Sequence, residues 1–174
     1  MKNYEFKLKF SLPGSSQDPE RFIDCLGETG CTDALIGVGQ AGRIALLFSR
    51  DANFALDAIL SAISDVKNAI PKATLIEATP DLVGLTDIAE ILGCSRQNMR
   101  KLMLNNLASF PTPVHEGKTT LWRLANILAW AQKRSRYRID ESFQEIAEAN
   151  MQLNIAKEST HLDSAVERQF AAIA

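Results

Sequence analysis

Between Leu85 and Leu104 the chain reads LTDIAEILGCSRQNMRKLML, and no other stretch restricts the possible folds as tightly. Ile88, Ala89, Leu92, Met99 and Leu102 recur where two helices crossing through a short turn would face each other. Ala89 is small where the second helix must approach. Gly93 can take the positive φ needed just after a helix ends, and the Ser95 hydroxyl can accept from unpaired amides at the start of the next helix. With the apolar positions turned inward, the second helix presents Arg96, Gln97, Asn98, Arg100 and Lys101 outward.

Those outward side chains suit the DNA major groove. Arginine can bond guanine bidentately, glutamine or asparagine can bond adenine, and lysine holds phosphate. A helical hairpin with a merely solvated outer face would show the same pattern, so the residues beyond Leu104 carry weight. Phe110-Pro-Thr-Pro-Val114, His115-Glu-Gly-Lys-Thr-Thr120 and Leu121-Trp122-Arg123 read as two short strands joined by a turn at Gly117, a wing with Lys118 at its tip. Leu124, Ile127, Leu128 and Ala131 then recur at helical spacing beside Trp130, and this helix would close a small core ahead of Lys133-Arg-Ser-Arg-Tyr-Arg138. Arg96, Gln97, Asn98 and Arg100 are the base-reading candidates. Ser95, Lys101, His115, Lys118, Arg123, Lys133, Arg134, Arg136 and Arg138 are the candidates for phosphate or wing contacts.

Leu85, Ile88, Ala89, Leu92, Gly93 and Ser95 form the pattern L-x-x-I-A-x-x-L-G-x-S, followed by F-P-x-P at Phe110 to Pro113, a glycine turn, Leu121-Trp-Arg123 and Ala129-Trp130. In this the segment resembles the winged helix-turn-helix of the MerR and excisionase (AlpA-like) group. The resemblance covers residues 82–138 and implies DNA binding through the second helix and the wing. It names no operator and leaves both flanks aside.

Charge distribution points the same way, since a protein that grips a polyanion concentrates cations where it touches phosphate. The chain carries −2 in all. Residues 1–83 hold 8 basic and 11 acidic groups, residues 84–139 hold 9 and 3, and residues 140–174 hold 2 and 7. Two acidic flanks thus mask a basic centre.

The first 79 residues have an order of their own. Tyr4–Leu12 alternates like a strand, Asp18–Thr29 reads as a helix with Pro19 in its first turn, and Ala34–Val38 and Arg43–Ser49 read as strands. A long helix runs from Asp51 or Ala52 to Ile70 with Phe54, Ala58, Ile59, Ala62, Ile63 and Val66 inward, and Ala73–Ala78 is a last strand. The order βαββαβ predicts a ferredoxin-like arrangement with both helices on one face of an antiparallel sheet. Such domains often dimerise or sense small ligands, which is analogy and not a site. Gly37-Val-Gly39-Gln-Ala-Gly42 matches a dinucleotide-binding loop, but Arg43–Phe48 reads as a strand where that loop must open a helix, so a hairpin turn is the better reading.

The chain is therefore expected to be α+β, with a ferredoxin-like domain at 1–79, a winged helix-turn-helix domain at 80–139 and an acidic helical tail at 140–174. Residues 79–84 are too short for a long tether. In the tail, 140–157 carries Phe143, Ile146, Ala147 and Met151 on one face, and 164–173 a weaker stripe of Val166, Phe170 and Ile173. That tail either folds back on the winged domain or serves as a partner-binding or dimerising arm. Cys25, Cys31 and Cys94 read as free thiols, and His115 and His161 stand in no metal-ligand or catalytic spacing, so neither cofactor, metal nor enzyme activity is expected. No apolar run approaches the ~20 residues of a membrane span and the start lacks a signal-peptide core, which predicts a cytoplasmic protein. The function expected is a sequence-specific DNA-binding regulator acting as a homodimer on double-stranded DNA. The alternative is an antitoxin-like or recombination accessory protein whose tail or N-terminal domain binds a protein partner.

Overall fold

The computed structural model describes residues 1–14, 18–134 and 137–173. Strand β1 (Lys2–Ser11) alternates strictly, so Tyr4, Phe6, Leu8 and Phe10 enter the core while Asn3, Glu5 and Lys7 face solvent. Asp18 accepts from the Glu20 amide at 3.0 Å and starts a single 3-10 turn, Pro19–Phe22, which runs into the short helix α1 (Ile23–Glu28). The one helix expected there is thus divided. β2 (Ala34–Gly37), β3 (Arg43–Ala52), helix α2 (Ala55–Ala69) and β4 (Thr74–Thr79) follow.

The sheet order is β2-β3-β1-β4, with every neighbouring pair antiparallel and Phe6 opposite Phe48. One face carries the helices. Ala58, Ile59, Ala62 and Val66 of α2 pack there against the inward side chains of β1 and β3. Phe54, expected inward, is 69% exposed, because it caps α2 in an extended conformation and so lies off the helical stripe.

The second unit begins inside the expected linker. β5 (Leu82–Val83) pairs antiparallel with β6 (Trp122–Arg123), and between them run α3 (Leu85–Ile91) and α4 (Arg96–Leu104). Helix α5 (Leu124–Gln132) closes a core of Val83, Ile88, Met99, Phe110, Trp122 and Leu128. Phe110 meets the rings of Trp122 and Trp130 edge-on at 6.0 and 4.8 Å, the arrangement that ring quadrupoles favour.

The C-terminal segment is no detached tail. Helix α6 (Glu141–Ser159) lies beside α2 against β1 and β4, and on its other side against α5. Ile146 belongs to the core of the first unit, Ala147 to that of the second, and Phe143 touches both. A polar row on α6 lies along β4, an edge strand. Asn154 donates to the Ala78 carbonyl at 2.8 Å and accepts from its amide at 2.9 Å, Asn150 donates to the Pro80 carbonyl at 3.1 Å, and Lys157 reaches the Ile76 carbonyl. These side chains satisfy the backbone groups that an edge strand would leave open to a foreign strand. Helix α7 (Ser164–Ala171) follows and buries none of its residues. Among the described residues no helix is long and apolar enough to cross a membrane.

Candidate nucleic-acid interface

The turn between α3 and α4 is specified by hydrogen bonds as well as by residue type. Gly93 has φ +66°, its amide donates to the Glu90 carbonyl at 3.1 Å, and the Cys94 amide donates to the Ala89 carbonyl at 2.9 Å. This 6→1 and 5→2 pair is a Schellman motif, which closes a helix only with a left-handed residue at this position. Ser95 then caps α4, its hydroxyl accepting from the Asn98 amide at 3.1 Å. At the start of α3 the Asp87 carboxylate accepts from the Gly84 amide at 2.7 Å. The angle between the helices is therefore held from both ends, and Met99, fully buried, anchors α4 from beneath.

Arg96, Gln97, Asn98, Arg100 and Lys101 are all exposed. Successive helical residues turn by about 100°, so with Met99 and Met103 inward the outward face centres on Gln97, Lys101 and Leu104, with Arg100 on one flank and Asn98 on the other; Arg96, in the first turn, lies nearer the inward side. Asn98 sits on the flank opposite Arg100 and is exposed. It lines a small recess with Cys94, Leu102, Asn105 and Tyr137. Among the described residues no acidic side chain pairs with Arg96, Arg100, Lys101, Lys118, Lys133 or Arg138. All six are exposed. Arg136 lies outside the described residues.

The wing differs from the expected pair of strands. Residues 110–114 form no strand, and the loop is closed by a single bridge between His115 and Leu121. The return segment Trp122–Arg123 pairs with Leu82–Val83 instead, which the sequence places on the far side of both helices. Gly117 has no left-handed φ; it leaves room for the His115 ring, whose Nε2 would lie 2.7 Å from a Cβ there. His115 and Lys118 are exposed on this loop.

Two of the expected phosphate ligands are otherwise engaged. Arg123 is 8% exposed, and its guanidinium donates to the carboxylate of Asp81, itself 2% exposed, while a second nitrogen lies 3.9 Å from Glu158. Asn154 donates to the same Asp81 oxygen at 2.8 Å, and the Leu124 amide to the Asp81 carbonyl at 2.7 Å. Arg123 is thus a junction residue joining β5, β6 and α6, and it is not available to a phosphate. The Arg134 guanidinium stacks 3.7 Å above the Trp130 ring and donates to Asn106 at 2.9 Å and Ser109 at 3.3 Å. It ties the turn that ends α4 to the end of α5. Neither partner set was visible in the sequence, since Asp81 stands 42 residues from Arg123 and Asn106 stands 28 from Arg134. Residue type also concealed the exposed apolar neighbours of the cations, Leu104, Leu107 and Val114.

The glycine loop at 37–42 leads into β3, and only Gly42 there is left-handed, at φ +73°. Cys25, Cys31 and Cys94 are free, and burial pushes the Cys31 thiol up to about 11. Comparison with protein-family models, curated proteins and solved structures returned no match.

Proposed function

We propose that this protein is a sequence-specific DNA-binding regulator, in which α4 enters the major groove and the 115–121 loop lies on the adjacent backbone or minor groove. The observation that supports this reading most is α4 itself. A helix fixed at its start by a Schellman turn and a serine cap, and from beneath by Met99, exposes Arg96, Gln97, Asn98, Arg100 and Lys101, its cations without an acidic partner among the described residues. On this reading the unit at 80–139 is a winged helix-turn-helix of the MerR and excisionase kind. The βαββαβ unit is ferredoxin-like, and its strand order fits that arrangement.

One short helix reads only a few base pairs, so the working species is a homodimer on two half-sites. Arg96, Gln97, Asn98 and Arg100 read bases, with Gln97 at the centre of the exposed face and Arg100 and Asn98 on its two flanks. Lys101, Lys118, Lys133 and Arg138 hold phosphates, with Arg123 and Arg134 removed from that set. Binding of Arg100→Ala and Lys118→Ala to a duplex recovered by random-sequence selection with the unaltered protein tests the roles. Arg100→Ala should cost about 1–3 kcal/mol and relax preference at one base. Lys118→Ala should weaken all duplexes alike and reduce the salt slope by about 0.9. Loss of selectivity in the lysine variant alone would reverse the assignment.

A further inference from the structure

Helix α7 stands apart from every core of the molecule. Val166 and Phe170 on it, Leu162 before it and Ile173 after it are 58, 65, 52 and 83% exposed, and no residue of the helix is buried. An eight-residue helix is marginal alone in water, so this stripe calls for a surface to cover it. Asp163 and Glu167 flank the stripe, while helical spacing places Arg168 on the opposite side. The face that docks is therefore apolar with an acidic margin.

Three exposed apolar patches of this chain could receive it. Leu56 and Leu60 on the outer side of α2 stand beside Asp57, a like charge. Leu35 and Leu47 pair on the open face of the sheet, which carries both signs of charge. Leu104 and Leu107, at and just beyond the end of α4, and Val114, at the start of the wing loop, are 50, 67 and 54% exposed; Arg100, Lys101 and Lys118 of the same two segments have no acidic partner among the described residues, and Glu116 is the one acid in the loop. The third, with three cations to the one acid Glu116, best complements both the apolar and the acidic character of α7.

Position favours the wing segment among these. Glu158 near the end of α6 lies 3.9 Å from Arg123, two residues beyond the Leu121 end of the bridge that closes the wing. From there a connection of Thr160–Asp163 leads into α7, which at ~1.5 Å per residue spans roughly 12 Å. Five residues of extended chain from Arg123 to Lys118 cover at most ~17 Å. So short a tether gives the arm an effective concentration in the millimolar range at the wing of its own chain.

We propose that α7 docks on the recognition face of its own chain, with Val166 and Phe170 against Leu104, Leu107 and Val114 and Glu167 toward Lys101 and Lys118. DNA must displace it. The displacement rests on the DNA-binding reading above; the docking does not. The full-length protein is treated with a zero-length carbodiimide cross-linker, using mixed light- and heavy-isotope protein, and the joined peptides are mapped by mass spectrometry. Amide links from Glu167 or Asp163 to Lys101 or Lys118, within single chains, are expected. Links to neither lysine, or links only between light and heavy chains, would overturn the proposal.

In parallel, binding to mixed-sequence duplex DNA is measured for the full chain, a chain ending at His161 and the Phe170→Ser variant. An arm docked nine-tenths of the time lowers apparent affinity about tenfold, so both altered proteins should bind about tenfold tighter. Equal affinity of all three on DNA that they do bind would overturn it. Cross-links without any DNA binding would sustain the docking and remove the DNA-binding reading instead.

Discussion

Arg123→Ala separates a structural from a DNA-binding role for the most deeply placed of the described arginines in the second unit. The substitution leaves the Asp81 carboxylate, 2% exposed, with the Asn154 amide on one oxygen and nothing on the other. Breaking a buried ion pair by removing one partner costs about 3–5 kcal/mol, because the remaining charge is stranded away from water. The same change also uncouples β6 from the end of α6, where Glu158 approaches. With a slope of about 2 kcal/mol per molar urea, typical of domains this size, the midpoint should fall by about 1.5–2.5 M. Adding Asp81→Asn should recover much of the loss, since the stranded charge is then gone. Urea unfolding followed by circular dichroism reads both. A shift under about 0.5 M together with a DNA salt slope reduced by about one phosphate would refute the reasoning and return Arg123 to the phosphate contacts.

Further substitutions test the local geometry. Gly93→Ala places a side chain at φ +66° in the turn and should cost about 1–2 kcal/mol by thermal or urea unfolding, although no atom lies within 4 Å of the added carbon. Ser95→Ala removes the α4 cap and should cost about 1 kcal/mol, with faster amide exchange confined to the first turn of α4. The Glu145 carboxyl, held below its ordinary value of 4.5 by Lys2 at 2.7 Å and by the Tyr4 hydroxyl, stabilises the fold above that value. Its contribution disappears as pH falls through the depressed folded value, so Glu145→Gln should flatten the acid limb of the stability profile below about pH 4.5. Arg134→Ala should lower the unfolding midpoint and leave the salt slope of DNA binding unchanged, because its guanidinium sits on Trp130 and Asn106.

What could be read from the sequence was what depends on neighbours along the chain. The alternation of Tyr4, Phe6, Leu8 and Phe10 marks a half-buried strand without reference to anything distant. The α3–α4 turn is similar, since Gly93, Ser95 and their hydrogen-bond partners lie within a few residues of one another. The role of α6 was concealed because its contacts with β4 are polar. Asn150, Asn154 and Lys157 look like a solvated face until the edge strand beside them is known. The wing misled for a related reason. Leu121–Arg123 has a strand pattern, but its partner is set by distant residues at 82–83 and not by the nearer segment at 110–114. At the candidate interface, residue type identified every exposed cation of α4 and the wing. It could not separate those free of partners from Arg123 and Arg134, whose partners are brought in by the fold.

The central claim is that α4 reads DNA sequence, and a random-duplex selection with the full-length protein at moderate salt addresses it directly. Binding of the enriched duplex is then measured at two salt concentrations. The account predicts an inverted repeat bound by a dimer, with affinity falling steeply as salt rises. No enrichment, together with weak binding indifferent to salt, would contradict it.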